Sequence, residues 1–174
     1  MNNDVLTREE LFASIDEAVY QFVELMSALD EKEVNEVPYE NSWTAGQLLR
    51  HISKSTNGMA SAMLAAPKTA ERDPSANVAQ LKETFLSLTN KFDSPAFIVP
   101  ENEIYNQQVS IEELKHSFDQ LKENAAKANM DDLVEGLPFG SSTKLELLHF
   151  VLYHTQRHLR QMHRISEALT HRRG

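Results

Sequence analysis

Hydrophobic side chains recur every three or four residues in five segments of the chain, and this period is typical of helices with one buried face. Polar segments that contain proline separate them, as expected of loops. We therefore predict five helices: Thr7 to about Asp30, Thr44 to about Ala66, 78–92, Ser110 onward, and Thr143 to about Leu169.

Four of these segments begin with a capping-box pattern, in which a Ser or Thr precedes a Glu or Gln by three positions. The pairs are Thr7 with Glu10, Thr44 with Gln47, Ser110 with Glu113, and Thr143 with Glu146. Only five residues are glycine, and the tripeptide FIV in the proline-containing segment before Ser110 is the one candidate for a short extended piece. The pattern predicts an all-α fold, an antiparallel four-helix bundle with an additional helix, formed by residues 1–174 as a single domain.

The last predicted helix carries two histidines on its apolar side. At about 100° per residue, His154 and His158 share a stripe with Leu147, Val151, Met162, Ile165 and Leu169. Residues four apart lie one turn above the other, a spacing at which two imidazoles can bind one ion. The same pattern also fits two core histidines whose ring nitrogens are hydrogen-bonded to backbone or carboxylate oxygens.

A third histidine, His51, lies on the apolar side of the second predicted helix, one turn from Leu48 and beside Ile52. Three neutral imidazoles that meet without an ion would be poorly satisfied, whereas three around an ion form an open site that leaves positions for water. The sequence thus favours a divalent metal site of His51, His154 and His158. The remaining histidines, His116, His149, His163 and His171, map to polar faces, arc edges or the C-terminal end.

A di-iron site is the alternative metal centre. The chain contains two Glu-x-x-His pairs, Glu113 with His116 and Glu146 with His149, a pattern that di-iron helical bundles use. Both pairs map to the polar sides of their predicted helices, so we do not favour this interpretation.

Composition excludes several other kinds of chemistry. The chain has no cysteine, which removes disulfides, thiolate metal ligands and a cysteine nucleophile. The formal net charge of −9 is the wrong sign for a nucleic-acid binder. Arginines concentrate near the C-terminus, where we interpret them as a solvated helix face with favourable charge at a helix end; they are Arg157, Arg160, Arg164, Arg172 and Arg173. No signal peptide or membrane span is expected, which predicts a cytoplasmic protein that does not bind membranes.

Two segments together resemble the DinB-like, or damage-inducible, family. They are NSWTAGQLLRHISKS and, about a hundred residues later, LLHFVLYHTQRHLRQMHRI, and the resemblance extends from about Thr7 to Leu169. Members of that family are four-helix bundles whose metal is held by one histidine of the second helix and two of the last. Carried over to this chain, those positions are His51, His154 and His158, and the resemblance implies nickel, zinc or another divalent ion.

Three functions remain open at this point. The resemblance implies a metal-dependent hydrolase that acts on a small molecule through metal-bound water, or an enzyme that transfers a low-molecular-weight thiol. The third possibility is a non-catalytic metal-binding protein of the stress response. Thr155 to Arg157 contain no carboxylate, so the helix offers no H-E-x-x-H general base and the sequence does not identify one. We also expect a homodimer, the commonest oligomer.

Overall fold

Helices make up most of the structure, a computed structural model that describes residues 5–173. Two strands of two residues, β1 and β2, form an antiparallel hairpin immediately before the last helix. The elements are α1 (Arg8–Ser27), α2 (Glu31–Val34), α3 (Ala45–Ala62), α4 (Val78–Leu86), α5 (Gln107–Lys127), β1 (Leu133–Val134), β2 (Ser142–Thr143) and α6 (Lys144–Thr170), with short 3₁₀ helices at Ala96–Ile98 and His171–Arg173.

The four long helices α1, α3, α5 and α6 form the predicted four-helix bundle. Helix α1 packs against α5 and α6, and α3 packs against the same two helices, so α1 and α3 occupy opposite corners. Helix α4 lies outside the bundle against α6 and is the additional helix. The bundle centre is filled by fully buried side chains such as Phe22, Leu49, Phe118 and Leu147. Burial of large apolar groups of this kind is the main stabilising contribution to the fold.

The capping boxes at Thr7, Thr44 and Thr143 are confirmed. At each, the threonine hydroxyl accepts a hydrogen bond from the backbone N–H three residues on, while the side chain there accepts from the threonine N–H. These reciprocal bonds satisfy donors that a helix start otherwise leaves unpaired.

The predicted start of the fourth helix at Ser110 is wrong, because α5 already begins at Gln107. Its cap is Asn106, whose side chain accepts a hydrogen bond from the Val109 N–H at 2.9 Å. The Ser110 hydroxyl instead donates to the Asn106 carbonyl at 2.8 Å, inside the first turn. Asparagine caps helices as well as serine does, and here the earlier residue is used.

The ends of the first three predicted helices also differ from the prediction. The first helix ends at Ser27, and a further capping box between Asp30 and Glu33 starts the separate turn α2. The second predicted helix ends at Ala62 rather than near Ala66. The third predicted helix ends at Leu86 rather than at 92, and Leu88 is 85% exposed. The tripeptide FIV is not extended, because its first two residues belong to a 3₁₀ turn. No helix within the described residues is both long and apolar enough to cross a membrane.

Candidate metal centre

The bundle brings the three predicted histidines together at one end of the interface between α3 and α6. His51 lies in the second turn of α3, and His154 and His158 lie one turn apart in the middle of α6. His51 is 1% exposed and His154 is 9% exposed, while His158 is half-buried at the edge of a cavity. Among the described residues, this is the one group of three or more potential metal-binding side chains that converge, with ligand atoms within 4.8 Å of one another.

The ring nitrogens face one another across the site. The Nε2 atoms of His51 and His158 are 3.0 Å apart, and those of His158 and His154 are 3.2 Å apart. Two imidazoles bound to one ion at about 2.1 Å hold their nitrogens roughly 3.0–3.4 Å apart. These two spacings therefore match those of neighbouring ligands of a single ion.

The second nitrogen of two of these rings shows which nitrogen carries the proton. The Nδ1 of His51 lies 3.0 Å from the Ile98 carbonyl oxygen, and the Nδ1 of His158 lies 2.9 Å from the Gln161 side-chain oxygen. Both oxygens only accept, so both Nδ1 atoms must donate, and each Nε2 of a neutral ring is left with a lone pair. Two lone pairs at 3.0 Å repel each other unless a cation lies between them. The donor set thus fits a metal ion, with oxygens behind two ligands to fix the ring orientation.

Burial keeps these imidazoles neutral. It is the first cause that lowers the pKa of His154 far below its usual range, with the neighbouring histidines adding to the effect. Burial and then His51 lower the pKa of His158 to about 3. Burial also lowers the pKa of His51, although the bond to Ile98 opposes the shift. Neutral imidazole is the form that binds a metal, so no proton has to be displaced at neutral pH.

Trp43 packs behind the site rather than over it. Its ring centroid is 4.8 Å from that of His51, and it is not among the residues that line the cavity. The tryptophan therefore acts as a packing anchor that restricts the His51 ring from the side away from the cavity.

A cavity of about 560 Å³ opens onto the three histidines. Helix α4, the segment that follows it and the loop before β2 form its walls. The side chains of Met59, Leu81, Phe85, Phe139 and Phe150 make it largely apolar. Volumes of this size are typical of small-molecule sites.

The other histidines lie apart from the centre. His116, His163 and His171 are exposed. His149, expected at the edge of the apolar arc, is fully buried, where its Nε2 accepts a hydrogen bond from the Leu6 N–H and its Nδ1 lies 3.0 Å from the Leu145 carbonyl. Both ring nitrogens are thus satisfied by protein groups.

Of the two Glu-x-x-His pairs, one lies on a polar surface as predicted and the other does not. Glu113 and His116 are exposed as predicted, but Glu146 and His149 are fully buried. The Glu146 carboxylate is committed to the Arg72 guanidinium, at 2.7 and 2.6 Å, and to backbone N–H groups. Burial raises the pKa of Glu146, but the bonds from Arg72 and from the Thr143 and Asn77 backbones outweigh it, so the pKa is lowered. The pair is buried for structural reasons and does not face a second carboxylate site.

The C-terminal arginines are exposed as predicted, except for the half-buried Arg157, but several of them also bind backbone carbonyls. Arg157 donates to the carbonyls of Phe85, Ser87 and Asn90, and Arg160 donates to that of Leu86 at 3.0 Å. They cap the C-terminus of α4, where unpaired carbonyls attract cations. Arg172 and Arg173 similarly reach the carbonyls of Pro38 and Ala28, and both pair with glutamates near α2.

Sequence reasoning missed the groups that surround the histidines. Gln161 follows His158 by three positions, a spacing that signals contact on a helix. Its role was still not evident, because glutamine is common on helix surfaces. The Ile98 carbonyl carries no side-chain signal at all. The aromatic walls come from segments that are distant in sequence and meet only in the fold.

Comparison with known protein families gives a match that covers most of the chain. The family model described as the DinB superfamily matches residues 14–162. The chain belongs to the DinB superfamily. The matched range contains all three histidines of the candidate centre. The membership and the histidine group together support a protein that binds a divalent metal.

One curated relative and two solved structures resemble this DinB-superfamily chain. YuaE of Bacillus subtilis (strain 168), an uncharacterized protein, is 24% identical over 151 residues, which cover 83% of this chain and 90% of YuaE. The crystal structure of TT2238, a four-helix bundle protein, aligns with a TM-score of 0.59 and 17% identity over 90% of this chain and 98% of TT2238. YfiT from Bacillus subtilis, described as a probable metal-dependent hydrolase with an unusual four-helix bundle topology, aligns with a TM-score of 0.60 and 10% identity over 96% of this chain and 91% of YfiT. At these identities the structural likeness shows the fold.

Proposed function

We propose that His51, His154 and His158 bind one divalent ion, nickel or zinc, and that the protein is a metal-dependent hydrolase of small molecules. The observation that carries the proposal is the 3.0 Å approach of the His51 and His158 Nε2 atoms while both Nδ1 atoms face oxygens. This arrangement is unfavourable without a cation and ready-made for one.

A divalent ion with three neutral ligands keeps its full charge and open positions, and so supplies the Lewis acidity that activates water and polarises a carbonyl. The protein residues hold the ligand nitrogens in place and keep them unprotonated. His51 and His154 are buried at the same locus, and their low exposure strengthens electrostatic interactions there.

Asp93 is the candidate for proton transfer. Among the residues that the structure describes, it is the one carboxylate that lines the cavity, and its side chain is exposed. A hydrolase needs a group that accepts a proton from water or returns one to the leaving group. We therefore expect Asp93→Asn to lower kcat without loss of bound metal.

The test begins with metal content. The wild type, His158→Ala and His163→Ala are purified without a tag, and bound metal is measured by mass spectrometry. His163 is exposed on the same helix, so its variant controls for the substitution itself. Near-stoichiometric metal in the wild type and in His163→Ala, lost in His158→Ala, is expected.

The metal-loaded protein is then assayed for hydrolysis of small amides and esters, and for transfer of an added thiol. Hydrolysis that depends on the ion supports the proposal. Thiol transfer in its place assigns the other chemistry to the same centre, and metal binding without either reaction indicates a non-catalytic protein. Absence of metal in the wild type, with no uptake of added nickel or zinc, refutes the centre altogether.

A further inference from the structure

The cavity beside the histidines has a continuous aromatic wall. Phe139 stacks on Phe150 with ring centroids 4.2 Å apart, and Phe150 meets Phe85 edge to face at 4.9 Å. Phe85 in turn stacks on Phe92 at 5.3 Å. Phe92 and Phe97 extend the wall to the rim, where they are 50% and 66% exposed.

This wall ends directly at the candidate metal centre. Phe150 lies one turn before His154 on α6, and the two ring centroids are 5.4 Å apart. A flat group that packs on the phenylalanines therefore places its attached atoms next to the three histidines. Aromatic surfaces bind such groups by offset stacking and by burial of apolar area.

The charged groups in the cavity do not form an anion site. Besides the neutral histidines, the charged lining residues are Arg157 and Asp93, one of each sign. The guanidinium of Arg157 already donates to three backbone carbonyls and lies 5.1 Å from the Phe92 ring centroid. Away from the proposed ion, the described lining residues therefore lack the convergent cationic side chains that commonly hold a phosphate or a dicarboxylate.

We propose that the substrate is a small molecule whose uncharged aromatic or bulky apolar part packs on Phe85, Phe139 and Phe150, with its amide or ester group toward the histidines. The proposal names the substrate class of the site described above and so rests on the proposed function. The apolar part supplies binding energy at a distance from the reacting bond, which is how an enzyme positions a small substrate.

The test measures binding of N-phenyl-1-naphthylamine, an uncharged aromatic probe whose fluorescence rises in apolar sites. The full chain is titrated as purified and again after treatment with a chelator. The neutral amide 1-naphthylacetamide and the smaller amide acetamide serve as competitors. Saturable binding of the probe, displaced by 1-naphthylacetamide but not by acetamide, is expected in both preparations.

Three variants locate the binding. Phe139→Ser and Phe97→Ser change the cavity, and Phe12→Ser removes a partly buried phenylalanine that does not line it. Phe97 is 66% exposed, so its replacement leaves the fold intact. Loss of one stacked contact lowers probe affinity about three- to tenfold in the two cavity variants, with no change in Phe12→Ser. Equal affinity in all three variants, or no saturable binding, overturns the inference.

The two proposals fail separately. Metal binding without aromatic binding leaves the centre standing and refutes the substrate class. Aromatic binding in a protein that takes up no metal refutes the hydrolase and keeps the cavity assignment. With metal-loaded protein, a higher kcat/KM for 1-naphthylacetamide than for acetamide, reduced by Phe139→Ser, is the expected kinetic counterpart, and equal values contradict the inference.

Discussion

Replacing Gln161 with leucine removes the side-chain hydrogen bond that orients His158 in the candidate centre. The Gln161 oxygen accepts a hydrogen bond from the His158 Nδ1 at 2.9 Å and so leaves Nε2 as the metal-binding atom. Leucine has a similar volume and no acceptor, so the ring can rotate and its proton can move to Nε2. Groups that accept a hydrogen bond from a metal-binding histidine contribute about 10- to 100-fold to metal affinity. Because this partner is a neutral amide, we expect the lower end, about tenfold, which corresponds to ~1.4 kcal/mol.

The assay is competition for zinc or nickel against a chromogenic chelator of known affinity. Gln156→Leu provides the matched control, since Gln156 is a half-buried glutamine on the same helix that takes no part in the hydrogen bonds of the three histidine rings. Gln161→Glu is a second comparison, because a carboxylate accepts the same bond more strongly and should tighten binding. Equal affinities for Gln161→Leu and Gln156→Leu would refute the role of the hydrogen bond in fixing the ring.

Three further predictions concern stability. Glu146→Gln breaks the pair between the buried Glu146 carboxylate and the Arg72 guanidinium and should lower the free energy of unfolding in urea by about 3 kcal/mol. Glu9→Gln, at an exposed pair, should change it by no more than about 0.5 kcal/mol. Similar losses in the two variants would contradict the importance of burial. Gly46→Ala should destabilise the fold because the new Cβ would lie 2.6 Å from an aromatic side chain. Gly58→Ala has nothing within 4 Å of the new Cβ and should stabilise helix α3 by up to about 1 kcal/mol. Thermal unfolding checks both, since the melting temperature should fall in the first variant and rise in the second. In the metal-free protein the pKa of His158 is lowered to about 3 in the folded state, from the ordinary value of 6.5 that holds in the unfolded state. As the pH drops below 6.5 the unfolded state therefore binds protons first, and the free energy of unfolding falls. His158→Ala should make that fall in stability shallower between pH 6.5 and 5. An unchanged slope would show that the pKa shift of His158 does not contribute to the pH dependence of stability.

Much of the fold could be predicted because helix periodicity and capping are local signals. Threonine with Glu or Gln three residues later marked three helix starts correctly. Ser110 failed because Asn106, one turn earlier, offers an equivalent cap. The end of α4 could not be predicted, since it depends on guanidinium groups of α6 that are about 70 residues away in sequence.

The meeting of the three histidines was predictable because each lies on the apolar side of a helix whose face was clear from sequence. The surroundings were not, because Ile98 and Phe139 come from connecting segments without a periodic signal, and the periodicity of α4 does not tell which helix Phe85 faces. Glu146 was misplaced for a related reason: its partner Arg72, which is half-buried, lies in a loop. Metal binding by the three histidines, a single domain over residues 1–174, a homodimer and a cytoplasmic location stay predictions.

The separation of the histidines along the chain has a consequence for folding. His51 and His158 are 107 positions apart in the sequence, and the chain between them includes helices α4 and α5 of the fold. An ion shared between them would close a loop of that length, and polymer theory assigns a constraint of that size about 4–5 kcal/mol, as for a disulfide. Because the chain has no cysteine, such a cross-link would be insensitive to reductants and would be removed by chelators. Metal supply, rather than redox state, would then control the rate at which the bundle unfolds and its resistance to proteolysis.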